Sequence, residues 1–294
     1  MKPPAFDYYE PENLPEALAL LAQQGERASV LAGGQSLIPA LNMRLARPAA
    51  LVDINRLTEL DFIRQEGETL VIGALTRHYQ LEESGLIQRV CPLLAEAAAA
   101  IGYPAIRTRG TIGGSLAYAD PAGELPLILA CLGGSVSLVS SVGRRVVAAA
   151  DWLRAPFKTA IAPGELLIEA RIPQPPPHAG WALVELNRGV GRTAQVDVAC
   201  LVELDGGDHI ASARLAVGGA GASSRRLPGV EKQLIGQRAT EANFASVAQQ
   251  MAEVISLGGD VHASADFRRK LATTATQRAL ALATERARTV AQGA

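Results

Sequence analysis

The chain has 294 residues and a formal net charge of −1, so no basic surface argues for nucleic acid or anionic lipid. Hydrophobic residues make up 48% and aromatics 4%, a composition and length that suit two globular domains. Cys91, Cys131 and Cys200 stand far apart with no C-x-x-C pair, which argues against a zinc site, a cysteine-ligated cluster or a disulfide scaffold and for a reducing compartment.

The N-terminus, M-K-P-P-A-F-D-Y-Y, lacks an apolar core of the signal-peptide kind. Pro15 and Glu16 open a helix that runs to Gln24, with Leu14, Ala17, Leu18 and Leu21 as its apolar stripe and Gly25 as its stop. Val30, Leu31 and Ala32 end a buried strand. Gly33, Gly34, Gln35 and Ser36 follow, and a helix is expected from Leu37 to Leu45 before Pro48 breaks it. Leu51 to Ile54 is a second strand, so residues 15–54 read helix, strand, helix, strand with a parallel pair. Phe62–Arg64 and Thr69–Ile72 bracket an E-G-E turn as a hairpin. A helix is expected from Leu86 to Ile101, ended by Gly102 and Pro104.

The uncharged run Leu125 to Val142 contains Pro126, Gly133, Gly134 and serines. It reads as a helix to Leu132, a glycine turn and a strand from Val136 to Val139, not a membrane span. Arg145–Ala148 pairs with that strand across S-S-V-G, and Leu166–Ile172 is a further strand. P-Q-P-P-P-H, Pro173 to His178, is the clearest linker. Beyond it, Ala182–Leu186, Val196–Leu204 and Ile210–Val217 read as antiparallel strands, with D-G-G-D joining the last two. G-V-G-R, containing Gly189 and Gly191, reads as a hairpin turn. From Gly229 the pattern is helical, with Phe267, Leu271, Ala275 and Arg278 at core spacing and a frayed tail at Gln292–Ala294.

Two stretches stand out for chemistry. V-L-A-G-G-Q-S-L, Val30 to Leu37, places glycines, donors and a helix start after a strand. Such a turn points bare amides at an anion, each charge-assisted bond contributing about 1.5–3 kcal/mol. A tight turn with no ligand explains it equally well when taken alone. R-T-R-G-T-I-G-G-S-L, Arg107 to Leu116, repeats the recipe, with Arg107 and Arg109 beside it. Two amide-rich loops suit a diphosphate, hence a dinucleotide. Glu124, at the start of the helix after Ala119–Gly123, is explained by the helix dipole or by a grip on a ribose or ribityl hydroxyl. No G-x-S-x-G, H-E-x-x-H, P-loop or G-x-G-x-x-G motif is present. His78, His178, His209 and His262 read as solvated loop histidines. A dinucleotide site without an acid–base team fits a cofactor that carries the chemistry.

A-G-G-Q-S at Ala32–Ser36, L-V-D-I-N at Leu51–Asn55, T-I-G-G-S at Thr111–Ser115 and A-D-P-A-G-E-L-P at Ala119–Pro126 together resemble the flavin-binding medium subunit of the molybdenum hydroxylases, the group of carbon monoxide dehydrogenase and xanthine dehydrogenase. The resemblance includes the P-A-F-D-Y start and F-R-R-x-L at Phe267–Leu271. It implies an α+β fold: a two-part FAD-binding domain of the vanillyl-alcohol-oxidase type over residues 1–176, with subdomains of about 1–57 and 58–176. A smaller α+β domain, an antiparallel sheet plus helices, would follow over 177–294. It implies FAD with its pyrophosphate on the loops Ala32–Ser36 and Thr111–Ser115, flanked by Leu31, Leu37, Ile112 and Ala119. Glu124 would contact the polyol chain, Leu167 or Ile168 the isoalloxazine ring, and Tyr103 would lie nearby. Relatives often carry histidine at Gln35, asparagine or aspartate at Ser115, and lysine or tyrosine near Glu185, so flavin potential and acceptor choice are expected to differ here. The cysteine-rich insert of one branch is missing.

The resemblance implies a cytoplasmic electron-transfer oxidoreductase subunit with no catalytic residue and no metal ligand of its own. Its expected partners are a large molybdenum-cofactor subunit and a small subunit with two-iron two-sulfur clusters, in a dimer of heterotrimers that passes electrons to an external acceptor. A self-sufficient flavin oxidoreductase and a nucleotide-sensing module are the rival readings.

Overall fold

A computed structural model describes residues 2–189, 191–219, 223–259 and 263–292; His262, Gly293 and Ala294 lie outside the described residues. Strands β1 (Asp7–Tyr9), β2 (Ala28–Leu31) and β3 (Ala50–Asp53) form a parallel sheet in the order β1-β3-β2. The helix Leu14–Gln24 buries Ala17, Leu18 and Leu21 against it. Asn13 caps that helix by accepting from the Glu16 amide at 3.0 Å, and Gly25 ends it at φ 54°. The next helix is shorter than expected, Leu37–Asn42. Arg44 turns left-handed at φ 59°, and the amides of Leu45 and Ala46 both fold back onto the Ala40 carbonyl.

The second sheet takes β4 (Ile63–Glu66), β5 (Thr69–Gly73), β6 (Ser135–Ser140) and β7 (Gly143–Ala148). After a small hairpin of β8 (Leu153–Ala155) and β9 (Lys158–Thr159), β10 (Leu166–Pro173) returns to its centre, giving the antiparallel order β4-β5-β10-β6-β7. The expected helix from Leu86 to Ile101 is two, Gly85–Val90 and Pro92–Ala100. Pro92 has no amide hydrogen and forces Cys91 out of helical angles, to φ −151° and ψ 65°.

The third sheet is antiparallel: β11 (Gly180–Leu186), β12 (Val196–Leu204), β13 (Ile210–Gly218) and β14 (Arg225–Arg226). The helices Pro228–Leu234, Glu241–Val254 and Ala265–Gln292 cover one face. The buried stripe of the last helix is Ala272, Ala275, Ala279, Leu280, Ala283 and Ala287, whereas Phe267 and Arg278 are exposed. The expected stripe is met in part: Ala275 is buried and Leu271 packs on the core, whereas Phe267 and Arg278 stay outside it. The sheet's other face continues into the core beneath the second sheet, where Ala199, Leu201 and Ala216 join Leu94, Leu129 and Leu132. Trp181 donates to Glu96 at 3.1 Å, and Arg286 pairs with the same carboxylate at 2.8 Å while lying 5.0 Å from the Trp181 ring. Cys91, Cys131 and Cys200 are free and buried. Among the described residues, no helix is long and apolar enough to cross a membrane.

Gly180 opens the third sheet directly beneath the last helix, where a Cβ would overlap the backbone of Ala283 and Ala287. Gly180→Ala is expected to cost about 1–3 kcal/mol, read as a lowered urea midpoint, because backbone cannot step aside as a flexible side chain can.

Candidate functional site

The two glycine loops, remote in sequence, touch. A Cβ on Gly33 would overlap the carbonyl oxygen of Arg109, so only glycine permits the approach. A polar strap fixes it. Asn55 donates from Nδ2 to the Ala32 carbonyl at 2.9 Å and to Asp53 Oδ1 at 2.6 Å. Arg77 donates to Asn55 Oδ1 at 2.7 Å and to the Arg109 carbonyl at 2.5 Å. Tyr8 donates to the other Asp53 oxygen at 2.7 Å, which pushes the phenol up to about 12. The L-V-D-I-N motif thus links both loops.

The loops differ in what they offer an anion. Among the described residues, the backbone amides of Gly33, Gly34, Gln35 and Ser36 meet no acceptor. In the second loop the amides of Ile112 to Ser115 are spent: Ile112 on the Thr76 carbonyl, Gly113 on Ala74, Gly114 on Thr111 Oγ1 and Ser115 on the Thr111 carbonyl. The expectation of two equivalent amide cradles is corrected: the first loop brings amides and the second brings the hydroxyls of Thr111 and Ser115. Arg107 does not face the site, being held by Glu82 at 2.7 Å and the Ile101 carbonyl at 3.2 Å.

A cleft of about 810 Å³ runs between the loops, within the range of ligand pockets. Ala32, Gly33, Gly34, Gln35, Ser36, Leu37, Thr111, Gly113, Gly114, Ser115, Glu124 and Leu167 line it. The other expected residues do not. Leu31 ends β2 behind Gly34, Ile112 is buried in the core, and Ala119 closes its helix in a left-handed turn at φ 51°. Ile168 points to the core of the first sheet, opposite Leu167. Tyr103 is half exposed and packs on Gly191, which itself borders the cleft. Arg192 is the one Arg or Lys among the described lining residues, beside Glu26, Asp120, Glu124 and Glu165. Burial, and then the neighbouring Glu185 carboxyl, push Glu124 up to about 8.

Several lining residues carried no sequence signal that the motifs captured. The segment Ile161–Leu166 forms one wall; its Ala-Pro-Gly-Glu turn, with Gly164 at φ 80°, was the available clue. His78 is the clearest miss. It is buried at 3% exposure, not solvated, and its Nε2 lies 3.0 Å from Ser115 Oγ. Burial holds it down to about 4, so it is neutral at physiological pH. Nδ1 has no partner.

The family described as the FAD binding domain in molybdopterin dehydrogenase matches residues 4–175, and the CO dehydrogenase flavoprotein C-terminal domain matches residues 181–283. The chain belongs to this flavoprotein family. It is 42% identical to the 6-hydroxypseudooxynicotine dehydrogenase complex subunit alpha of Paenarthrobacter nicotinovorans, over 98% of this chain and 97% of that one. It is 37% identical to the carbon monoxide dehydrogenase medium chain of Afipia carboxidovorans, over 98% of this chain and all of that one. A crystal structure of the Cu,Mo-CO dehydrogenase superposes with a TM-score of 0.94 at 35% identity, covering 97% of this chain and 100% of the other. Quinoline 2-oxidoreductase from Pseudomonas putida does so with a TM-score of 0.93 at 34% identity, covering 98% and 99%. The flavoprotein is thus an oxidoreductase subunit of the medium-chain type with FAD as its cofactor. The cleft fits that cofactor on its own terms, with four unsatisfied amides named above, two hydroxyl side chains and an apolar wall at Leu167.

Two outcomes test this geometry. Arg77→Ala removes two charge-assisted bonds that join the loops, each of about 1.5–3 kcal/mol, and should weaken FAD binding roughly tenfold or more by flavin fluorescence titration. His78 titrates at 6.5 when unfolded and at about 4 when folded. As pH falls through that window only the unfolded chain takes up the proton, so stability is lost, by at most about 1.4 kcal/mol per pH unit. His78→Gln should flatten that part of the stability–pH curve of the apo chain, with no change above pH 6.5.

Proposed function

We propose that the flavoprotein is the FAD-carrying electron-transfer subunit of a heteromeric molybdenum hydroxylase. Substrate is hydroxylated at a molybdenum centre on a large partner, and electrons reach this subunit through two-iron two-sulfur clusters on a small partner. From here they leave to an external acceptor. The assembly is a dimer of heterotrimers in the cytoplasm. FAD, when bound, supplies the two-electron redox chemistry; the chain's residues hold and orient it. Residues 1–176 form the FAD-binding domain, divided near residue 57, and residues 177–294 the C-terminal domain.

The observation that carries this reading is the row of unpaired amides from Gly33 to Ser36, facing a cleft that Thr111 and Ser115 close from the other side. A diphosphate fits there: its charge is met by fixed dipoles, as at other amide nests. Leu31, Leu37, Ile112 and Ala119 hold the two loops in shape. Glu124 meets the polyol chain, Leu167 supports the ring end from β10 with Ile168 anchored in the core behind it, and Tyr103 guards the edge beside Gly191. No catalytic residue is assigned, in keeping with a subunit that relays electrons.

The glycines separate packing from binding. Gly113 is buried against Ala74 backbone, whereas a Cβ on Gly114 would meet only the Thr111 hydroxyl. Gly114→Val should therefore leave the fold intact and abolish flavin retention, seen as a colourless but folded protein. Retained flavin in that variant would move the pyrophosphate elsewhere. Co-purification from the native host should yield molybdenum and iron in complex with two unlike chains; a lone yellow chain that oxidises an organic substrate would replace this reading with a self-sufficient oxidase.

A further inference from the structure

Behind Glu124 the cleft meets a group of carboxyls that no motif absorbed. Glu185 on β11 and Asp197 on β12 are cross-strand partners, so both side chains leave the sheet on one face. That face closes on the turn before the helix Glu124–Leu132: the Gly219 amide donates to the Pro121 carbonyl at 2.6 Å, and Ser224 Oγ donates to it at 3.3 Å. A Cβ on Gly218 would strike Asp197 Oδ1 and Ser224 Oγ, so glycine there makes room for the acid. The Glu124 and Glu185 carboxyls are in hydrogen-bonding contact. An ionised carboxylate only accepts, so one of the two must carry a proton.

Among the described residues, the leading charged influences on the group are acids. The charged neighbours acting on Glu124 are Glu185 from β11 and Asp120 from the preceding turn; those acting on Asp197 are Glu124, Glu185 and Asp120. Every one is an acid. Asp197 is 0% exposed, and neither carboxyl oxygen has a hydrogen-bond partner. A buried carboxyl without a partner or a countercharge is held as the neutral acid. Burial moves Asp120 and Glu185 upward as well, and Asp197 furthest.

We propose that Glu185 is a positioning residue for the flavin site: it shares one proton with Glu124, so that the carboxyl facing the cleft donates a hydrogen bond as well as accepting one. This rests on the placement of the FAD polyol at Glu124. A hydroxyl is donor and acceptor at once, and a neutral carboxyl matches both roles without adding charge beside a diphosphate. Asp197, neutral behind the pair, adds no further charge to the cleft wall. Once the shared proton leaves, two anions face each other at the cleft wall and the polyol loses its donor.

The test uses the full-length apo chain and FAD itself. Flavin fluorescence titrations on both sides of pH 8, where Glu124 gives up its proton, should show the wild-type Kd rising by about tenfold per pH unit above it, as one linked proton requires. Glu185→Gln should be flat over the same range, since its amide donates to an ionised Glu124 and no proton is shared. Infrared spectra of the apo chain should contain a protonated-carboxyl band that titrates near pH 8 in the wild type and not in Glu185→Gln. Identical profiles in both proteins would overturn the proposal. Glu124→Ala, which removes both donor and acceptor, keeps the two layers apart. If it binds FAD like the wild type, the polyol placement fails and the proposal falls with it. If it weakens FAD while the wild-type band does not titrate, the placement stands and the shared proton alone is overturned.

Discussion

The site depends on the contact between Gly33 and the Arg109 carbonyl, and on the strap that holds it. Two loops far apart in the chain meet backbone to backbone, which costs ordering entropy at both. Asn55 and Arg77 offset that cost by joining the Ala32 and Arg109 carbonyls, Arg77 through charge-assisted bonds. The second loop is held independently: its amides bond to residues 74–76, and His78 N donates to the Gly110 carbonyl at 3.0 Å. It is therefore a rigid wall, and the strap sets the first loop against it. The amides from Gly33 to Ser36 stay unpaired because their neighbours' bonds are satisfied elsewhere. That pre-organisation is what a tightly held cofactor requires.

The electrostatics follow the same division. One end of the cleft offers an anion unpaired amides and hydroxyls, and Arg192 is the one Arg or Lys among its described lining residues. The other end collects acids at Glu124, Glu185, Asp120 and Asp197. Ionised together, they would repel a diphosphate and one another; burial and mutual repulsion raise all four above the usual carboxylate range. His78 is held neutral for the opposite reason, since burial disfavours its cation. Both ends are therefore low in net charge at neutral pH, though by shifts of opposite sign.

Much of this was legible in the sequence because short motifs carry local backbone demands. The glycines of A-G-G-Q-S and T-I-G-G-S marked close approach, Pro15 and Gly25 marked the first helix, and alternation marked β11 to β13. What failed to read out was tertiary. Whether an amide is free depends on which distant carbonyl reaches it, so the spent amides of Ile112 to Ser115 could not be foreseen. His78 looked like a loop histidine because its burial comes from Gly110 and Ser115, more than thirty positions away. The alanine stripe of the last helix was masked by Phe267, whose size suggested core but which stands exposed. Cys91–Pro92 broke a helix that propensity alone would have continued.

The third sheet is bound into this arrangement and does not stand apart from it. Ala199, Leu201 and Ala216 share a core with the helices that follow the second loop, and Arg286 with Trp181 closes on Glu96. Gly191, Arg192 and Thr193, from the connection between β11 and β12, reach the cleft, where Gly191 sits so close to the Tyr103 ring that a side chain would not fit. Glu185 and Asp197 stand behind the cleft wall on the same two strands. A hinge at the linker 173–178 would therefore have to break an apolar core, a charged clasp and a carboxyl contact together. Removing one of these loosens the others, because each depends on the sheet staying in register with the helix Glu124–Leu132. The C-terminal sheet thus acts as a fixed wall of the flavin cleft, and substitutions in it should alter flavin chemistry even where they touch no cofactor atom.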